Sequence, residues 1–193
     1  LRTCYFQEKN VPLMTMFARR GIQFGLEQAG QTEDSELKDK LRSTAKEMCF
    51  NLGANTWPGW EDEGITITAA DLAMGLDAAR TNLRLAGELQ RDAGPLSDAH
   101  WLVGAHHLAE GNSQAATEHF KKATEIAEQA GLSDRQWASL GYVAIAEQMD
   151  ESTRARGDQS LANAIQKLQG LGTDDAKFYA SQLQSVSRFF LSR

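Results

Sequence analysis

The chain has 193 residues, 41% hydrophobic and 24% charged, with 26 acidic against 20 basic side chains and a formal net charge of −6. That length and balance describe a globular chain able to bury a sizeable core, not a disordered or fibrous one. Between residues 55 and 150 fifteen Asp and Glu stand against six Lys and Arg, which argues against a phosphate-backbone or anionic-membrane partner.

Residues 1–29 read as helical. Pro12 belongs in a first turn, so the helix begins near residue 10 and closes at Gly30, with Met14, Phe17, Ile22, Phe24 and Leu26 as its apolar stripe. After a polar link over 31–36, a second helix over 36–54 carries Leu37, Leu41, Ala45, Cys49 and Leu52 on one face. Residues 55–67 break the periodicity. They hold the only β-branched alternation, Gly64-Ile65-Thr66-Ile67-Thr68, and the pair Trp57 and Trp60 around Pro58-Gly59. Thr68 with Asp71 three residues on has the form of a capping box for a helix to about 92, striped by Leu72, Leu76, Ala79, Leu83 and Ala86. Gly94-Pro95 punctuates, and Ser97 is the expected cap of a helix over 98–110. Gly111-Asn112 turns the chain into 113–130, which carries Ala116, Phe120, Ala123 and Ile126 and ends at Gly131. Ser133 starts a helix to about 149. A polar link over 150–157 leads to a shorter helix over 158–169 that ends at Gly170. Thr173 caps a last helix to about 190 with Phe178, Leu183, Val186, Phe189 and Phe190.

Only three prolines interrupt this alanine-rich chain, and the reading is all-α. No apolar run reaches the length needed to span a bilayer. Cys4 and Cys49 permit one disulfide but neither a stapled framework nor a zinc site, so free or buried thiols are expected. The chain begins at Leu1, and a removed targeting segment is compatible with that. The default expectation is cytoplasmic.

Three glycines, Gly53, Gly104 and Gly141, sit in similar apolar settings with a second helical stretch after each. Around the middle one, Val103, Gly104, Gly111, Ala116, Phe120 and Ala123 follow a small-large pattern in which residues 97–130 resemble a tetratricopeptide repeat. Trp137, Leu140 and Gly141, answered by Leu161, Ile165 and Leu168, form a second copy. Cys49, Leu52 and Gly53, answered by Ala79, Leu83 and Ala86, form another with an insertion between its helices. The resemblance implies antiparallel hairpins stacked as a short right-handed superhelix. Within one domain over 1–193, it implies an N-terminal helix and link over 1–35, three degenerate hairpins over 36–170 and a capping helix over 171–193.

In such repeats the inner face of the first helices receives an extended peptide. Carried over residue by residue, that face is Phe50 and Ala54, then Trp101, Ala105 and Leu108, then Tyr142 and Ile145. It lacks the Lys and Arg cradle with which some members hold a terminal carboxylate. Two readings stand side by side: a partner-facing groove, or packing residues covered by flanking helices. The same choice holds for Trp57 and Trp60, which either form a rim that anchors a partner or pin their loop onto the array. The four histidines, His100, His106, His107 and His119, fall together. His100 and His107 share a helical face, and His119 can meet His107 across the hairpin, but a metal needs three or more convergent ligands. No nucleophile elbow or phosphate-cradling loop is present. The expectation is a non-catalytic protein- or peptide-interaction module with no cofactor and no metal, the acidic surround favouring a neutral or basic partner. The alternatives are a structural or homo-oligomerisation domain, and a small-ligand domain with the Trp57–Trp60 loop as lid.

Overall fold

The structure, a computed structural model, describes residues 1–192, and every helix or turn assigned among them leaves no strand. The chain divides into two compact units, Leu1–Arg91 and Asp92–Arg193. Each is a run of consecutive antiparallel helices. Among the described residues no helix is long and apolar enough to cross a membrane.

The first unit holds a π-helical turn (Thr3–Gln7), α1 (Val11–Gln31), α2 (Ser35–Asn55), a 3-10 turn (Pro58–Trp60) and α3 (Ala69–Glu88). α1 starts where Pro12 placed it, because the Asn10 side chain accepts the Leu13 N–H at 2.9 Å. Its register differs from the predicted one. The buried residues are Val11, Met14, Thr15, Ala18, Gly25 and Ala29, while Phe17 and Phe24 are 52% and 53% exposed. The reason is packing distance: a Cβ at Gly25 would lie 3.4 Å from the Leu41 carbonyl and 3.6 Å from the Ala45 methyl. Around Gly25 the contact with α2 leaves room for little more than a methyl, and Phe17 and Phe24 lie on the outer face, whereas Met14 is buried as predicted.

Asp34 caps α2 by accepting from the N–H groups of Glu36 and Leu37. The expected capping box of α3 is complete: Asp71 N–H donates to Thr68 Oγ1 at 3.2 Å and Thr68 N–H to Asp71 Oδ2 at 3.0 Å. α3 stops at Glu88, short of residue 92. Ile65 and Ile67 form no strand; they pack against a cluster of Tyr5, Val11, Met14, Ala18, Cys49, Leu52 and Ala78.

The second unit holds α4 (Ala93–Ala109), α5 (Ser113–Gln129), α6 (Ser133–Gln148), α7 (Arg154–Leu171) and α8 (Asp174–Leu191). Two boundaries differ from expectation. α4 begins before Gly94-Pro95, since a proline in a first turn forfeits no helical hydrogen bond. Ser97 is therefore no cap; it is buried and its hydroxyl donates to the Ala123 carbonyl of α5 at 2.9 Å. α7 starts at Arg154, after a link held by the Thr153 hydroxyl on the Glu147 carbonyl at 2.7 Å. It ends at Gly172, with φ 73, instead of Gly170. Thr173 caps α8 as read, accepting the Ala176 N–H at 3.2 Å, though Phe178 is exposed.

The close approach at Gly104 is present. A Cβ there would lie 2.7 Å from the Phe120 ring and 3.1 Å from the Ala116 carbonyl. Gly141 plays a different part: its open side is filled by Leu183 of α8. The crossing of α6 with α7 uses Gly157, where a Cβ would stand 2.8 Å from both the Ala144 carbonyl and the Gln148 nitrogen. A glycine that admits a third helix, instead of its own return helix, explains why the second copy of the pattern looks displaced.

Candidate functional site

The aromatic residues singled out in the second unit do meet. Trp101 of α4 and Tyr142 of α6 pack edge-on with ring centroids 5.4 Å apart, and Tyr142 lies 5.2 Å from Phe120. They meet in the interior. Tyr142 is buried and donates its hydroxyl to Gln182 Oε1 at 3.1 Å, and burial raises its pKa, keeping the phenol neutral. Ala105, Leu108 and Ile145 are buried as well, so this face is closed to solvent except at half-buried Trp101. In the first unit Phe50 and Ala54 are half-buried on α2, with the Lys46 ammonium 5.9 Å from the Phe50 ring.

The insertion is fastened down. Trp57 is 1% exposed and packs edge-to-face on Trp60 at 4.7 Å. Trp60 Nε1 donates to the Ala54 carbonyl at 2.7 Å, and the Tyr5 hydroxyl donates to Asp62 at 2.8 Å. The loop is thereby tied to α2 and to the N-terminal turn, and of its two tryptophans Trp57 is buried and Trp60 half-buried.

The first unit also carries an open groove of about 860 Å³ between α1 and α3, floored by α2. It arises because α1 and α3 both pack on α2 and barely on each other. The α1 wall presents Thr15, Arg19, Arg20 and Ile22; the floor is Cys49 and Leu52; the α3 wall presents Asp71, Met74, Asp77 and Ala78. Arg19 spans the gap, its Nη1 3.7 Å from the Met74 sulfur. Thr15 is 4% exposed and its hydroxyl has no hydrogen-bond partner among the described residues. Both cysteines are free. The Cys49 thiol is pushed up to about 12 by burial and then by Asp77, so it stays protonated and unreactive. The sequence reading missed this groove because its α1 register pointed Phe17 and Phe24 inward. The small residues at helical spacing, Thr15, Ala18, Gly25 and Ala29, were the available signal.

The histidines converge on the α4–α5 hairpin. His100 Nδ1 lies 3.3 Å from His119 Nδ1, the His107 ring stacks on His119 at 5.8 Å, and His107 Nδ1 is 3.3 Å from Glu110 Oε2. Among the described residues no three His, Cys, Asp or Glu side chains are arranged to hold a metal ion. Two facing δ nitrogens share one proton at most. Burial, then the nearby His119 and Lys122, push His100 from 6.5 down to about 4. The unfolded chain therefore takes up a proton at higher pH than the folded one. Stability from this group is complete above about pH 6.5 and is lost as pH falls through about 4. Thermal melts at pH 7 and pH 4 should show a smaller fall for His100→Gln than for the unaltered protein; equal falls would remove His100 as the cause.

No family model matches the chain, and neither a curated protein nor a solved structure matches it.

Proposed function

We propose that the chain is a non-catalytic recognition module of tetratricopeptide-like hairpins, and that it takes a peptide segment of a partner protein in the α1–α3 groove. The observation that carries this reading is the groove's make-up. Among the described residues, an apolar floor lies beneath a buried hydroxyl without a hydrogen-bond partner and an exposed guanidinium whose one acceptor is a thioether. The fold leaves that hydroxyl unsatisfied and the guanidinium to solvent, and a ligand with an acceptor can engage both. The protonated Cys49 supports binding over chemistry, since a thiol held in its neutral form is not poised as a nucleophile.

Ala73 is exposed and lines the groove, so Ala73→Trp fills it without touching the core. A displayed random nonapeptide library, panned on immobilised protein, should enrich binders on the unaltered chain and not on Ala73→Trp. Equal enrichment on both would place recognition elsewhere.

A further inference from the structure

We infer that the groove recognises a carboxylate: an Asp or Glu side chain of the bound peptide, seated between the Arg19 guanidinium and the Thr15 hydroxyl, beside an apolar side chain resting on Ile22, Leu52 and Ala78. The inference rests on the groove being the recognition surface.

Thr15 and Arg19 are four residues apart on α1, one turn along the same face. A buried hydroxyl without a partner is a standing cost that a ligand oxygen removes. Arg19 makes no ion pair among the described residues, and the Met74 sulfur at 3.7 Å is its only acceptor there. A thioether is a weak acceptor, whereas a carboxylate takes two parallel N–H bonds from a guanidinium. Arg20, which likewise makes no ion pair among the described residues, adds positive potential at the same wall. On the opposite wall Asp71 Oδ2 is committed to the N–H and hydroxyl of Thr68. Asp77 lies about one turn beyond Met74 on α3. It repels a second acid and so fixes the carboxylate at the Arg19 end. The two arginines thus offset the two aspartates, and the groove is formally neutral where the whole chain is acidic, with its positive end at Arg19. Pro12, Met16, Gln23 and Ala73 leave the groove's rim exposed, which suits a strand of peptide better than a small molecule that needs enclosure.

Peptides enriched from the nonapeptide library should carry Asp or Glu next to an apolar residue. A synthetic consensus peptide should lose affinity for Arg19→Gln by about ten- to a hundredfold. It should lose several-fold for Thr15→Val, and Arg19→Lys should recover part of the loss. Replacing the peptide's acid by its amide should mimic Arg19→Gln. Arg19 is exposed, and unchanged thermal melts will confirm that its variants fold. Enrichment that depends on the open groove but lacks an acid, or an affinity indifferent to Arg19→Gln, overturns the carboxylate while leaving the groove reading intact. Enrichment indifferent to Ala73→Trp overturns both. Saturable, Arg19-dependent binding of decanoate without any peptide enrichment overturns the peptide as the source of the acid.

Discussion

Replacing Phe120 with alanine is expected to cost about 3–5 kcal/mol. The ring is wholly buried, lies over the bare backbone of Gly104 and faces Tyr142 at 5.2 Å. α5 packs on both α4 and α6, so the cavity left behind opens between three helices. None of its walls collapses easily. Gly104 has no side chain to offer, and Tyr142 is held by Gln182 and Trp101. The neighbouring Lys121 is exposed, and Lys121→Ala should stay within about 0.5 kcal/mol. Urea midpoints measured on the two variants decide the matter, since similar shifts would show that the helical register of α5 is wrong.

Gly157→Leu should be nearly as damaging, at about 3 kcal/mol, the upper end of ordinary overpacking. The obstruction is main chain, the Ala144 carbonyl and the Gln148 nitrogen at 2.8 Å, and a backbone cannot rotate out of the way. α6 and α7 must separate. Separation also strains a chain of hydrogen bonds running from the interior to the surface, in which the Ser187 hydroxyl donates to buried Gln148 Oε1 at 2.9 Å and Gln148 Nε2 donates to exposed Asp158 at 2.7 Å. Gly170, on the same helix with nothing within 4 Å of its added Cβ, is the control. Gly170→Ala should stabilise by up to about 1 kcal/mol through helix propensity. If Gly157→Leu and Gly170→Leu shift the midpoint equally, the crossing at Gly157 carries no constraint.

What could be read from the sequence follows the range of the forces involved. The Thr68–Asp71 box, the Thr173 cap and the turn at Gly131 depend on four or five consecutive residues, and each is where it was read. Gly104 with Phe120 was legible because a hairpin brings together residues close in sequence. The starts of α4 and α7 were misplaced because Pro95 and the polar run before Arg154 look like breaks, although a first turn tolerates both. The register of α1 failed for a deeper reason. Large apolar residues normally mark the inner face, as Met14 does, but beyond it a close helix contact buries Ala18, Gly25 and Ala29 and leaves Phe17 and Phe24 outside. The same limit applies to the candidate site. That Trp101 and Tyr142 gather was visible; whether they line a groove or a core depends on how neighbouring helices cover them, and side-chain chemistry is the same in both cases. The α1–α3 groove needs the relative placement of three helices, which no local pattern encodes.

α4 has no polar face over its second half: Leu102 to Leu108 are buried without interruption, whereas α5 buries only Ala116, Phe120, Ala123, Thr124 and Ala127. A helix of that kind has no stable existence alone in water, and it leaves the ribosome before the helices that cover it. The 39 residues from Glu110 to Gln148, which complete α5 and α6, take about 2–8 s to add at ordinary elongation rates. For that interval the stretch most dependent on neighbours has the fewest, and what shortens its exposure is the tight reversal at Gly111, with φ 77, that brings α5 back as soon as it is made.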